Sequence, residues 1–127
     1  VKTVLILLVV FAGIQTIIRF WPLPSSLWQD IYMVADAREV VVLGGYYIQS
    51  NDANFGEVTA ALKSTSGLRV IKEGPPLLAV YRSWFWGFPD IIELWEDAGT
   101  LHIRGHSVLG GWDLGSNKKR IIKWLNP

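Results

Sequence analysis

The sequence predicts an α+β protein: an N-terminal single-pass transmembrane helix, then a small antiparallel sheet packed with helices. Three observations predict it. Residues 3–18 carry no charged side chain. After them, short runs rich in Val, Ile and aromatic residues recur between Gly, Pro, Asn and Asp, the pattern of strands joined by turns. Few of these later stretches show helical spacing, and clustered strands favour an antiparallel sheet over alternating βαβ units.

The apolar run comes first. Lys2 precedes it, and Arg19, Phe20 and Trp21 follow. A helix from Thr3 to Trp21 would measure roughly 28 Å at 1.5 Å per residue, close to the hydrocarbon thickness of a bilayer. Lys2 and Arg19 can snorkel at its ends, and Phe20 and Trp21 sit where an aromatic belt lies. Pro22 and Pro24 end the helix. A cleaved signal peptide shares the charged start and apolar middle, but Phe11-Ala12-Gly13 is a poor cleavage site. A buried core helix is usually amphipathic, and this run is apolar all round. The reading is therefore residues 1–24 as anchor and linker and residues 25–127 as one α+β domain. Lys2 favours the N-terminus inside and the domain on the non-cytoplasmic, periplasmic or lumenal, side; Arg19 pulls the other way.

Ser26–Val34 can form a short amphipathic helix, lying on the membrane or packed on the domain. Glu39–Leu43 and Tyr46–Gln49 read as a hairpin broken at Gly44-Gly45. A helix follows, capped by Asn51 or Asp52, with Phe55, Val58, Ala61 and Leu62 on one face. Ser66-Gly67 ends it, Leu68–Ile71 is a strand, and Gly74-Pro75-Pro76 a turn. Leu77–Trp86 and Ile91–Trp95 pair as strands. Asp97-Ala98-Gly99 turns tightly into a strand over Thr100–Ser107. Leu114–Leu125 is the terminal helix, with Asp113 or Ser116 as cap.

Composition excludes several functions. The chain has 127 residues, room for one domain, and half of them are hydrophobic. Twelve basic and 11 acidic residues leave a net charge of +1, without the clustered basic excess of a nucleic-acid binder. The absence of Cys excludes disulfides, thiolate metal sites and a cysteine nucleophile. Seven Trp residues are a surplus that suits membrane and protein interfaces.

The chain's closing stretch, LHIRGHSVLGGWDLGSNKKRI over residues 101–121, has a distinctive spacing: Arg104, Ser107, Gly110, Asp113, Gly115, Asn117 and Arg120, followed by Ile121. It resembles the closing motif of the domain-of-unknown-function family 1499, approximately R-S-x-S-R-x-G-x-x-D-x-G-x-N-x-x-R-I. Gly105 stands where that pattern has Ser, and Val108 where it has Arg. The likeness extends back to the aromatic stretch Ser83–Asp90; the family's cysteine-containing motif is absent. The resemblance covers roughly the C-terminal third and implies no established activity.

Read from the residues, the motif is a strand-to-helix corner. Asp113 can accept backbone N–H bonds at the helix start, Asn117 and Arg120 share a helix face, and Arg104 could pair with Asp113. The alternative is an anion site lined by Gly115, Ser116 and Arg104. His102, Arg104 and His106 alternate on one strand; two imidazoles four residues apart lie roughly 13 Å apart, too far to share a metal. Glu93 reads as one of an exposed polar row, because Ile92 and Leu94 take the other strand face. Trp84 and Trp86 would point to one side of a strand and Phe85 to the other. One set meets solvent, lipid or a partner, unless Trp112 and Trp124 cover it.

The expected function is therefore a non-catalytic accessory or scaffold subunit of a larger membrane complex, respiratory or photosynthetic assemblies being the first class to search. Trp84, Trp86 and Phe88 are the candidate partner-binding residues, and Lys2, Arg19, Phe20 and Trp21 the membrane-interface residues. Other integral membrane subunits and the lipid bilayer are the expected partners, with no nucleic acid, cofactor or metal. The alternative is a small-molecule- or lipid-binding envelope domain with a pocket between sheet and terminal helix. An enzyme is the weakest reading, since no nucleophile, phosphate loop or metal spacing is found.

Overall fold

The computed structural model describes residues 1–23, 38–108 and 113–126. The expected helix at 26–34, together with Gly110 and Trp112, lies outside them. The chain forms α1 (Lys2–Phe20), β1 (Glu39–Val42), β2 (Gly45–Ser50), α2 (Phe55–Lys63), β3 (Leu68–Lys72), β4 (Leu77–Arg82), β5 (Pro89–Asp97), β6 (Thr100–Ser107) and α3 (Ser116–Leu125). This is the expected α+β arrangement.

Helix α1 is an unbroken apolar helix with no buried residue. It ends where Trp21 becomes extended (φ −61°, ψ 126°), as the residue before Pro22 must. It is long and apolar enough to cross a membrane.

The six strands form one antiparallel sheet in the order β1-β2-β6-β5-β4-β3. The β1–β2 hairpin occupies one edge. Helix α2 then carries the chain to the far edge, and three successive hairpin steps return it to the centre, where β6 pairs with β2. At the β5–β6 turn, Ala98 and Gly99 both take positive φ (50° and 81°), the two-residue geometry that matches sheet twist.

One sheet face is dry and covered by the helices. Tyr46, Leu77, Ala79, Ile92, Leu94, Leu101 and Ile103 meet Val58 and Leu62 of α2 and Ile121 and Trp124 of α3. The Trp124 indole donates to Thr65 Oγ1 at 2.8 Å. Trp124 thus closes the main core and does not cover the aromatic stretch near residue 85, contrary to one sequence expectation.

Three local readings need correction. The cap of α2 is Asn54, whose side chain accepts from Glu57 N at 3.1 Å; Asn51 instead accepts from Thr100 Oγ1. Strand β4 stops at Arg82, so Trp84–Trp86 form a turn and do not alternate across a strand. Glu93 is not exposed at all: β5 is central, and Pro89–Leu94 are buried on both faces.

Candidate functional site

Three polar constellations stand out, and the signature motif contributes to two of them. The first is the corner between β6 and α3. Asp113 caps α3 from just outside it: Oδ1 accepts from Gly115 N at 2.9 Å and Oδ2 from Asn117 N at 3.2 Å. These bonds satisfy N–H groups that the first helical turn leaves without partners. The Asn117 side chain, fully buried, donates to Asp113 Oδ2 at 2.8 Å and accepts from Arg120 at 3.1 Å. Arg120 continues to Asp90, forming an ion pair with its Oδ2. Ser107 donates to the other Asp90 oxygen at 2.9 Å. The guanidinium also lies 3.9 Å from the centre of the Tyr81 ring, a cation–π contact.

Asp90 is buried. Burial pushes its carboxyl above the ordinary range, while Arg120 and Ser107 pull it back. Gly105 completes the corner by absence. A Cβ there would lie 2.5 Å from Asn117 Oδ1, so the side chain above can pack directly on the strand. The corner therefore unites Ser107, Asp113, Gly115, Asn117 and Arg120, and adds Asp90, which the motif's spacing does not include. Arg104 is not part of it.

Arg104 points to the opposite sheet face and makes the second constellation. Its cross-strand partner is Glu93, and its Nη2 lies 2.7 Å from Glu93 Oε1. Both are buried, Glu93 completely. The expected Arg104–Asp113 pair is thus replaced by Arg104–Glu93 and Arg120–Asp90. The anion site lined by Gly115, Ser116 and Arg104 does not assemble either, because its members lie on different faces. Desolvation raises the Glu93 carboxyl, and the Arg104 charge and hydrogen bond oppose that.

Beside this pair, His102 stacks on Trp95, with ring centres 5.1 Å apart and planes 3° from parallel. Its Nδ1 lies 2.7 Å from the Tyr47 hydroxyl. Burial raises the Tyr47 phenol above its ordinary value. His102 therefore has an aromatic structural partner on each side. No metal-binding group of His, Asp and Glu occurs among the described residues.

The third constellation joins the domain to α1. Arg82 Nη1 donates to Ile18 O and to Gly87 O, each at 2.9 Å. Ile18 O belongs to the last helical turn, whose carbonyls have no partner within the helix and carry the negative end of its dipole. Arg19 reaches the other way and donates to the carbonyls of Trp84 and Phe85. Gly87, at φ +71°, makes room: a Cβ would lie 2.9 Å from Arg19 Cγ. The two arginines form a reciprocal clasp between helix end and aromatic turn. Burial and the Arg19 charge hold Arg82 below its ordinary value.

The aromatic turn itself is exposed: Trp84 86%, Phe85 47%, Trp86 52% and Phe88 42%. Its rings pack on one another, and Phe85 touches Phe11 of α1 with centres 5.9 Å apart. Phe11 lies eight residues before Arg19, roughly 12 Å nearer the middle of the helix. Helix α1 and the turn therefore present one continuous apolar surface. Lys2, Phe20 and Trp21 are exposed at the helix ends.

A family model described as a protein of unknown function (DUF1499) matches residues 35–126. The chain belongs to the DUF1499 family. The match takes in all six strands and both domain helices, well beyond the C-terminal third that the closing motif suggested. It leaves α1 outside. No curated protein matches the chain. Within this DUF1499 domain the signature residues act first as structure: Asp113 caps, Asn117 bridges, Arg120 neutralises Asp90, and Arg104 neutralises Glu93. The register of the Asp97–Thr100 turn held the signal that sequence reading missed, since it sets Glu93 opposite Arg104 and Asp90 opposite Ser107.

Proposed function

We propose that this DUF1499 protein is a single-pass membrane protein, and that its domain serves as a non-catalytic accessory subunit of a larger membrane complex. The observation that carries the reading is the continuous apolar surface of α1 and the aromatic turn. Every residue of α1 from Lys2 to Ile14 is exposed, and the arginine clasp holds the turn beside it. A large aromatic surface fixed at the end of a membrane-length helix suits recognition near the bilayer. Ala12 and Gly13 allow close helix approach, and Gln15 and Thr16 add polar groups. Gly13 has nothing within 4 Å of where a side chain would begin. Lys2 before the span favours the domain on the non-cytoplasmic side.

Native sizing after mild detergent extraction tests this reading, with co-purification of a Trp84→Ala/Trp86→Ala variant. The wild-type chain should migrate in a particle much larger than its own mass, and the variant should lose partners at moderate salt. A lone small particle, or full partner recovery by the folded variant, would contradict it. The second reading, a lipid- or small-molecule-binding envelope domain, is favoured by a different observation: a cavity where α1 meets the sheet.

A further inference from the structure

We propose that the cavity between the C-terminal end of α1 and the β3–β4 edge binds the phosphate group of an anionic phospholipid. The cavity measures about 500 Å³. Three arginines line it: Arg19 from α1, Arg69 from β3 and Arg82 from β4. Its other lining residues are Phe20, Trp21, Leu23, Gly67, Ile71 and Val80. No acidic residue is among them, so among the described residues three cations face one space without a counter-charge.

The sheet explains their convergence. Arg69 is paired with Val80, and Arg82 lies two residues further along β4 on the same face. Arg19 arrives through the clasp. Two of the three are occupied in part by carbonyls: Arg82 with Ile18 and Gly87, and Arg19 with Trp84 and Phe85. Those contacts, with one from Arg19 to Gln15 Oε1, engage one terminal nitrogen of each guanidinium, Arg82 Nη1 and Arg19 Nη2, in forks that carry five N–H groups. The Arg69 guanidinium has no hydrogen-bond or ion-pair partner among the described residues. Close like charges cost free energy: burial first, and then the Arg19 charge, hold Arg82 below its ordinary value. A bound anion reverses that cost and accepts bidentate bonds from arginine.

The position selects a lipid as the source of the phosphate. The inference rests on α1 crossing the bilayer. In that case Arg19, Phe20 and Trp21 lie at the headgroup level. The cavity then opens at the depth of lipid phosphates, and its apolar members Ile71, Val80, Leu23 and Trp21 meet the upper acyl chains. Charge and apolar lining together suit an amphiphile better than a free ion.

The full chain in detergent micelles, followed by native mass spectrometry, tests the site with phosphatidylglycerol, phosphatidylcholine and inorganic phosphate as separate probes. One phosphatidylglycerol per chain should be retained, in preference to phosphatidylcholine by roughly tenfold, the scale of one charge-assisted contact. Arg69→Glu should abolish the preference and Arg69→Gln should weaken it. Lys123→Glu, the same charge change on exposed α3, should leave it intact. Equal retention of both lipids, or a preference unchanged in Arg69→Glu, overturns the inference. Binding of inorganic phosphate without phosphatidylglycerol would also overturn it, by assigning the site to a free anion. If α1 spans the bilayer but no lipid preference is found, only this inference falls.

Discussion

Replacing Arg104 with Leu should destabilise the domain by about 3–5 kcal/mol at neutral pH, the usual cost of stripping a buried charge of its partner. Glu93 is fully buried, and Arg104 holds one of its oxygens at 2.7 Å. Its other oxygen has no hydrogen-bond partner among the described residues. Without Arg104 the carboxylate would have to remain charged in the sheet or take up a proton. The pH dependence follows. Burial already raises Glu93 above its ordinary value, and Arg104 opposes the rise, so the variant's native pKa climbs further. A carboxyl whose native pKa exceeds the unfolded one contributes its stability below the unfolded value and loses it as pH rises through the native one. The deficit of Arg104→Leu should therefore be smallest below the ordinary Glu range and grow toward pH 8. The double variant Arg104→Leu/Glu93→Leu should recover most of the loss, because two apolar side chains need no pairing. Chemical denaturation across pH checks all three expectations. A deficit independent of pH, or no recovery in the double variant, would show that the pair is not what Arg104 stabilises.

The second large effect is expected at Arg120. Arg120→Leu leaves Asp90 buried with Ser107 as its one described donor, and takes from Asn117 the donor at its carbonyl. It also removes the guanidinium from the Tyr81 ring. A loss of about 3 kcal/mol is expected, comparable with other broken buried pairs. Arg120→Lys should recover only part of it. A lysine keeps the charge but not the planar fork that serves Asp90 and Asn117 and lies flat on Tyr81. Thermal unfolding distinguishes these outcomes, and full rescue by Lys would mean that charge alone matters at this corner.

Much of this architecture is legible in the residues, and the failures have physical causes. Strand β6, Thr100–Ser107, can be read to the residue, because Asp97-Ala98-Gly99 is a strong turn signal and Ser107 precedes a glycine-rich break. Helix α1 is equally plain, since nothing interrupts its apolar run. Glu93 reads as exposed because alternation suggests one wet face, whereas a central strand is covered on both. Its charge is tolerated through Arg104, whose placement depends on sheet register. Asp90 and Arg120 are 30 residues apart, and only the packing of α3 on the sheet joins them. The run Trp84-Phe85-Trp86 looks like a strand by propensity, yet Gly87 at positive φ makes it a turn. Its docking on α1 depends on Arg19, which local pattern gives as a snorkelling interface residue, and on Arg82, to which local pattern gives no role. The cap of α2 shifted from Asn51 or Asp52 to Asn54 because all three suit the role and only the strand's end chooses between them.

We propose that α1 crosses the bilayer while the domain, apart from its aromatic turn and the edge beside α1, stays in water. The chain has no cysteine, so single labels can be placed without background. Nitroxides at Leu8→Cys in α1 and Lys119→Cys on α3, in the full chain reconstituted in vesicles, report depth through collisions with oxygen and with a polar nickel reagent. The Leu8 label should be accessible to oxygen and shielded from nickel, and the Lys119 label should show the reverse. Equal access of the nickel reagent to both positions would contradict the claim.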